Sequence, residues 1–185
     1  MALAILSVSF ANAQIADQIK KSRERAEKLQ ALTEDYKTCG NAKVDGYGED
    51  IKKAAEFAIA NSEQLENLYK REIGESKDGV QDVTVKKPTL EEWVKLSATI
   101  AGEAASIKSA TDKVKEAGEE SKKIFEAAKN EKNPLKKAKA AKGAEAAVAV
   151  VEFGNAATPI LLEESAAQVK AIEEIINTLK AGKNL

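Results

Sequence analysis

Residues 89–131 read TLEEWVKLSATIAGEAASIKSATDKVKEAGEESKKIFEAAKNE, and apolar side chains recur along them at intervals of three and four residues. This spacing places the apolar side chains on one face of an α-helix. The predicted inward-facing series is Trp93, Leu96, Ile100, Ala104, Ile107, Thr111, Val114, Gly118, Ser121, Phe125 and Ala128. Thr89 and Glu92 have the spacing of a capping box, in which each side chain bonds the backbone N–H of the other residue. The segment therefore predicts one long helix that follows Thr89 and runs to about Glu131.

The same periodicity predicts helices over residues 14–38, 49–73 and 134–153, and it resumes after Pro159. The first two predicted series are Ile15, Ile19, Ser22, Ala26, Leu29, Thr33 and Tyr36, followed by Ile51, Ala55, Ala58, Ser62, Leu65 and Tyr69. The series after Pro159 is Leu162, Ala166, Val169, Ile172, Ile176 and Leu179. A proline inside a helix removes one backbone hydrogen bond, so the fourth pattern predicts either one kinked helix or two consecutive helices.

The links between these helices predict their arrangement. Residues 45–48, DGYG, are expected to form a turn, and residues 75–88 a crossover loop with Val83 and Val85 laid on the helices. The short links at 39–48 and 132–133 favour antiparallel neighbours. We therefore expect an all-α fold, an elongated antiparallel four-helix bundle, or five helices if the chain breaks near Pro159.

The composition argues against several classes of site. The 29 Lys and Arg residues nearly balance the 30 Asp and Glu residues, so no overall positive field favours nucleic acid. The absence of His removes the commonest metal ligand and general base, and one Cys cannot build a multi-thiolate zinc site. No nucleophile, P-loop or dinucleotide motif is present, and the doublets Glu119-Glu120, Glu163-Glu164 and Glu173-Glu174 are expected to straddle solvated helix faces. We expect no enzyme activity, no catalytic residue, no metal, no cofactor and no nucleic-acid partner.

The N-terminus indicates export. Residues 3–10 are apolar but too few to span a bilayer, and Ala11-Asn12-Ala13 is an A-x-A cleavage pattern. Residues 1–14 resemble bacterial export signals, although a basic first region is missing. We interpret residues 1–13 as a signal peptide that is incomplete at its N-terminus, and residues 14–185 as a single helical domain of a periplasmic or secreted protein. Cys39 is then either a shielded free thiol, the reading favoured here, or part of an intermolecular disulfide.

A basic cluster marks the predicted reversal between the third and fourth patterns. Residues 129–142 hold six lysines against Glu131 alone, and Asn133-Pro134 indicates a helix start. The lysines are Lys129, Lys132, Lys136, Lys137, Lys139 and Lys142. They form either a candidate patch for anionic lipid headgroups, an acidic partner or a polyanionic glycan, or a solvated hairpin end.

The most apolar part of the expected mature chain lies in residues 144–162, interrupted by Glu152 and Pro159. These interruptions argue against a resting transmembrane helix. We expect a non-catalytic protein that binds or scaffolds in the bacterial cell envelope, with an envelope protein or an anionic surface as partner. The alternative is a lipid-binding, amphiphile-binding or membrane-active protein that uses the 144–162 region. A homodimer is compatible with the unbroken apolar faces.

Overall fold

The computed structural model describes residues 2–75 and 84–185, with side chains from Ala13 onward. Five helices occupy most of these residues, and no β-strand occurs among them. The helices are α1 (Ala2–Glu34), α2 (Ala42–Ile73), α3 (Leu90–Thr111), α4 (Val114–Asn130) and α5 (Pro134–Lys180). The all-α helical bundle predicted from the sequence is confirmed.

The chain divides into two compact units, each built from several separate segments. Unit 1 comprises Met1–Glu27, Phe57–Glu103 and Glu163–Leu185, and unit 2 comprises Lys28–Glu56 and Ala104–Leu162. Four of the five helices, all but α4, therefore contribute residues to both units. The prediction that residues 1–13 form a signal peptide stays a prediction, as does the prediction of a single mature domain.

Unit 1 is an antiparallel bundle around one apolar core. Within it, Gln18 of α1 contacts Glu174 of α5, whereas Arg25, further along α1, pairs with Glu164, so these two helices run in opposite directions. Asn61 of α2 contacts Glu103 of α3. Arg71, at the other end of α2, pairs with Glu92 at the start of α3, which fixes the opposite direction of these two helices. The core is formed by Ile15, Ile19, Leu65, Leu68, Tyr69, Trp93, Leu96, Ile100, Ala171, Ile172 and Ile175.

The start of α2 differs from the prediction, because the DGYG segment lies in the first turns of the helix and not in a turn. Asn41 caps the helix, since its Oδ1 accepts hydrogen bonds from the N–H groups of Lys43 and Val44 at 3.1 and 3.2 Å. The carboxylate of Asp45 reaches back and accepts from the N–H groups of Cys39 and Gly40. These bonds satisfy the chain around Gly40, whose φ of 83° suits glycine, and let the helix begin at Ala42.

Unit 2 gains close helix packing from two helical glycines. A Cβ at Gly154 would overlap the ring of the buried Tyr47, and a Cβ at Gly48 would overlap Val150 and the ring of Tyr36. Tyr36 was predicted on the inward face of the first helix, but α1 ends at Glu34, and Tyr36 packs on the unit 2 core from the link. Gly48 of the DGYG segment and Gly154 of α5 therefore serve close packing, where the sequence suggested a turn and the end of a helical pattern.

The third pattern breaks in a place that the sequence did not indicate. The chain leaves helical geometry at Asp112 and Lys113, so α3 and α4 replace the single predicted helix. The capping box at Thr89 and Glu92 is confirmed, with the Thr89 N–H donating to Glu92 at 2.8 Å. The buried face beyond Ile100 consists of Glu103, Ile107, Ala110, Ala117, Ser121 and Ala128. The predicted members Ala104, Val114 and Phe125 are exposed.

Helix α5 is continuous through Pro159, so the single helix is observed of the two alternatives predicted at this position. The ring of Pro159 lies on the exposed face, while Ala157 and Leu161 on either side are buried. Thr158 does not start a new helix, because its hydroxyl donates to the Gly154 carbonyl one turn earlier at 2.7 Å. The helix thus keeps its buried face and loses a backbone bond only where solvent can replace it.

The buried face of α5 after Pro159 is also displaced by one residue from the prediction. Leu162 and Ala166 are exposed, and the buried positions are Leu161, Glu164, Ser165, Gln168, Ala171, Ile172 and Ile175. Of the two loop valines, Val85 is half-buried and Val83 lies outside the described residues. The displacement matters because the observed face brings a carboxylate and an amide into unit 1.

Candidate functional site

The six predicted lysines lie at the turn between α4 and α5 in unit 2, and every one of their side chains is exposed. Lys129 is in the last turn of α4, Lys132 is in the link, and the other four lie in the first turns of α5. Asn133 is the N-cap predicted from the sequence, since its Oδ1 accepts from the N–H groups of Leu135 and Lys136 at 3.1 and 3.2 Å. We call residues 129–142 the basic tip.

The charges of the basic tip are uncompensated within the described residues. None of the ion pairs there involves any of the six lysines, whereas Lys43, Lys113 and Lys123 elsewhere in unit 2 are paired. Lys43 lies 2.9 Å from Glu116, and Lys113 lies 2.5 Å from Asp50. The Nζ of Lys129 is 4.9 Å from the centre of the Phe125 ring, a cation–π contact. The tip therefore concentrates positive charge on a chain that is almost neutral overall.

Exposed apolar side chains occur together with the lysines of the basic tip. Leu135 has 86% of its surface exposed, more than any other exposed large hydrophobic residue of the described chain. Phe125 and Val148 are exposed to lesser extents, and they line a shallow cleft of about 240 Å³ with Ser121, Lys122 and Glu126. The sequence identified the lysines, but it gave no sign that a leucine among them would be left in water.

The apolar 144–162 region has a buried face and an exposed face. Ala144, Ala147, Val150, Phe153, Ala157 and Leu161 are buried in unit 2. By length and composition alone, α5 could cross a membrane, because an 18-residue window has a mean hydropathy of 1.3, and only 33% of that window is buried. A cavity of about 470 Å³ lies beside this helix, lined by Leu32, Asp35, Tyr36, Lys37, Ala146, Ala149, Glu152, Phe153 and Ala156. An exposed apolar helix face next to a cavity is a second candidate binding surface.

A buried carboxylate cluster in unit 1 was not predicted from the sequence. Glu164 is fully buried, against the expectation that its doublet straddles a solvated face. Its carboxylate accepts from the Arg25 guanidinium at 2.5 Å, from the Gln168 amide at 2.6 Å and from the Ser22 hydroxyl. The Ser22 oxygen lies 2.8 Å from that of Ser62. The partners explain the burial, because a carboxylate leaves water only when charge and hydrogen bonds replace its hydration.

A second carboxyl group lies in the same unit with fewer partners. Glu103 is 3% exposed, and Asn61 donates to its Oε2 at 2.5 Å, while its Oε1 has no partner. The pKa of Glu103 is raised to about 7, mainly by burial and also by the charge of Glu164, while the hydrogen bond from Asn61 opposes the rise. Burial also raises the pKa of Glu164, although the bonds from Ser22 and Arg25 oppose the change. Glu103 therefore carries a proton at mildly acidic pH.

Sequence reasoning missed these groups because it kept charged residues off the buried face. A signal was present, since Ser22 and Ser62 already stood on the predicted inward faces of α1 and α2. Two polar residues in register on facing helices need polar partners if they are buried. Such partners had to come from the remaining helices.

The described residues 13–75 and 84–185 contain no group of three or more His, Cys, Asp or Glu side chains able to hold a metal ion. No protein-family model, no curated protein and no solved structure matches the chain. Its function is therefore argued from the geometry of its own residues, in particular the basic tip.

Proposed function

We propose that the chain is a non-catalytic binding protein of the bacterial cell envelope, periplasmic or secreted, that attaches to an anionic partner through the basic tip. One observation carries this proposal. Six exposed lysines occupy 14 consecutive positions, and none of them takes part in an ion pair within the described residues. Because like charges repel, such a cluster is most favourable when an anionic surface neutralises it.

The placement of the lysines supports binding at one end of a helical hairpin. They lie in the last turn of α4, the link and the first turns of α5, on a scaffold fixed by the Asn133 cap. A rigid scaffold lowers the entropic cost of presenting several charges together. The interaction would be electrostatic and would weaken as salt concentration rises.

The buried carboxylates favour a structural role over catalysis. Glu164 is enclosed by Ser22, Arg25 and Gln168, and Glu103 is covered in the same unit. A catalytic acid or base must reach the proton that it transfers in a bound substrate. Groups enclosed in this way serve the packing of unit 1, which supports the proposal of a non-catalytic protein.

Charge reversal at the tip tests the proposal. The Lys136→Glu plus Lys137→Glu variant should lose most of its sedimentation with a native envelope fraction at low salt, and added salt should release the wild-type chain. The control is Lys28→Glu plus Lys108→Glu, which makes the same charge change at exposed positions outside the tip. Equal retention of all three chains would contradict binding through the basic tip.

Export has its own test. Mass spectrometry of the protein from its native cells should show an N-terminus at Gln14, since the A-x-A pattern ends at Ala13. Recovery of the chain from the cytosol with residues 1–13 attached would contradict the envelope location and leave the anionic partner to be sought inside the cell.

The 470 Å³ cavity supports a second candidate function, binding of a single-chain amphiphile beside α5. Its walls are mainly apolar, with Asp35, Lys37 and Glu152 as polar members of the lining. An Ala149→Trp variant should fill the cavity and lower the affinity for a fluorescent fatty acid, whereas Ala98→Trp on the exposed face of α3 should not. Equal affinities for both variants would dismiss this candidate.

A further inference from the structure

We infer that the anionic partner of the basic tip is a phospholipid surface, which the six lysines contact through headgroups while the Leu135 side chain enters the interface. This inference rests on the proposed function and adds the chemistry of the partner. Leu135 is the observation that carries it. It directly precedes Lys136, two residues after the Asn133 cap, and 86% of its surface is exposed.

An apolar side chain among cations matches the two layers of a membrane surface. Anionic headgroups lie outermost and attract lysines, and the acyl boundary a few ångströms deeper accepts an apolar side chain. A purely acidic protein surface would neutralise the lysines but would leave Leu135 in water or against charge. Lysine side chains also fit this arrangement, because their methylene stems can lie along apolar material while the ammonium groups stay among headgroups.

The backbone at the tip is prepared for shallow insertion. The first N–H groups of a helix lack partners within the helix, and moving them out of water is costly. Here the N–H groups of Leu135 and Lys136 already donate to the Asn133 side chain, and the residue before them, Pro134, has no N–H. The first turn of α5 therefore brings few unsatisfied donors to the interface.

The expected strengths can be stated as fold-changes. One lysine near an anionic leaflet contributes roughly a five-fold change in partition, and full burial of a leucine side chain contributes roughly ten-fold or more. Lys136→Glu plus Lys137→Glu should thus lower binding at least ~20-fold, and Leu135→Ser about ten-fold. The serine variant keeps the tip charge unchanged, so it separates insertion from electrostatic attraction.

Vesicle flotation with the full chain tests the inference. The probes are vesicles of phosphatidylcholine with one third phosphatidylglycerol, vesicles of phosphatidylcholine alone, and soluble polyglutamate. The matched control is Leu162→Ser, which removes another exposed leucine of α5 outside the basic tip. We expect flotation with the anionic vesicles only, lost in the charge-reversed variant, about ten-fold weaker for Leu135→Ser and unchanged for Leu162→Ser.

Three outcomes would overturn the inference. Equal weakening by Leu162→Ser would transfer the contact to the 144–162 region. Binding to polyglutamate with no vesicle flotation would assign the tip to an acidic protein. Failure to float at all, combined with envelope sedimentation that still depends on Lys136 and Lys137, would reject the lipid and leave the proposed function intact.

Discussion

Glu103 on α3 and Glu164 on α5 are two carboxyl groups buried in the same helical unit, and they repel each other when both are ionised. The Arg25 guanidinium donates to Glu164, while the described hydrogen-bond partner of Glu103 is the neutral amide of Asn61. The second Arg25 contact, to Glu163, leads toward the exposed surface. Ionisation of Glu103 therefore lowers the stability of the folded state.

This relationship predicts that the free energy of unfolding falls as pH rises from 4.5 to about 7. The pKa of Glu103 is raised from 4.5 to about 7 in the folded chain, so the folded state holds a proton that the unfolded state has released. The contribution of Glu103 to the free energy of unfolding is fully present below pH 4.5. It is lost as the pH rises through the folded-state pKa, a decrease of about 3 kcal/mol. The raised pKa of Glu164 acts in the same direction. Urea unfolding between about pH 5 and about pH 8 measures the slope.

Glu103→Gln should remove most of this dependence, because the amide keeps an acceptor for Asn61 and cannot ionise. The variant should match the wild type near pH 5 and exceed its stability near pH 8 by about 2–3 kcal/mol. Glu119→Gln on an exposed face of α4 is the control and should leave the slope unchanged. A wild-type stability that rises through this window would show that Glu103 is ionised in the folded chain.

Removing the cation beside Glu164 should destabilise unit 1 strongly. Arg25→Met leaves a fully buried carboxylate with only neutral donors, which costs about 3 kcal/mol near neutral pH. Adding Glu164→Gln to that variant should recover a large part of the loss, since no buried charge remains. The exposed pair of Lys21 and Asp17 supplies the comparison, and Lys21→Met should cost much less, because solvent screens an exposed ion pair. Thermal unfolding of the wild type, the single variants Arg25→Met and Glu164→Gln, and the double variant gives the coupling energy.

Apolar periodicity and capping residues were sufficient to predict the helical bundle from the sequence. Thr89 with Glu92, and Asn133 with the first turn of α5, occur as expected. Such local signals depend on residues within four positions along the chain, so they hold regardless of the tertiary packing around the helix. The six tip lysines were likewise identified from a local run of charge.

The same reading failed where tertiary partners decide the outcome. Periodicity alone favours apolar residues, so Ala104 was predicted on the inward face and its neighbour Glu103 was not. Periodicity also does not distinguish adjacent apolar residues, and Leu162 was predicted where Leu161 is buried. A carboxylate becomes a buried residue only through donors on other helices, as Glu164 does through Arg25 of α1. The apolar periodicity also gave no sign of the break at Asp112, and at Pro159 it left one kinked helix and two helices as alternatives.

Cys39 should react slowly in the folded chain. It is a half-buried free thiol, and burial raises its pKa, so the reactive thiolate is scarce near neutral pH. Reaction with a disulfide reagent should be several-fold slower in buffer than in concentrated urea, and the chain should migrate as a monomer on non-reducing gels. A covalent dimer in protein from native cells would instead favour the intermolecular disulfide.

Gly154 on α5 should be intolerant of alanine, although alanine favours helices. A Cβ there would overlap the ring of Tyr47, which is fully buried and has no room to retreat, so Gly154→Ala should cost about 1–3 kcal/mol. Gly143 lies on the same helix, and nothing within 4 Å would meet a Cβ at that position. Gly143→Ala should therefore stabilise the chain by about 0.5–1 kcal/mol through helix propensity alone. Stabilisation by both substitutions in urea unfolding would mean that Tyr47 does not pack against Gly154 in solution.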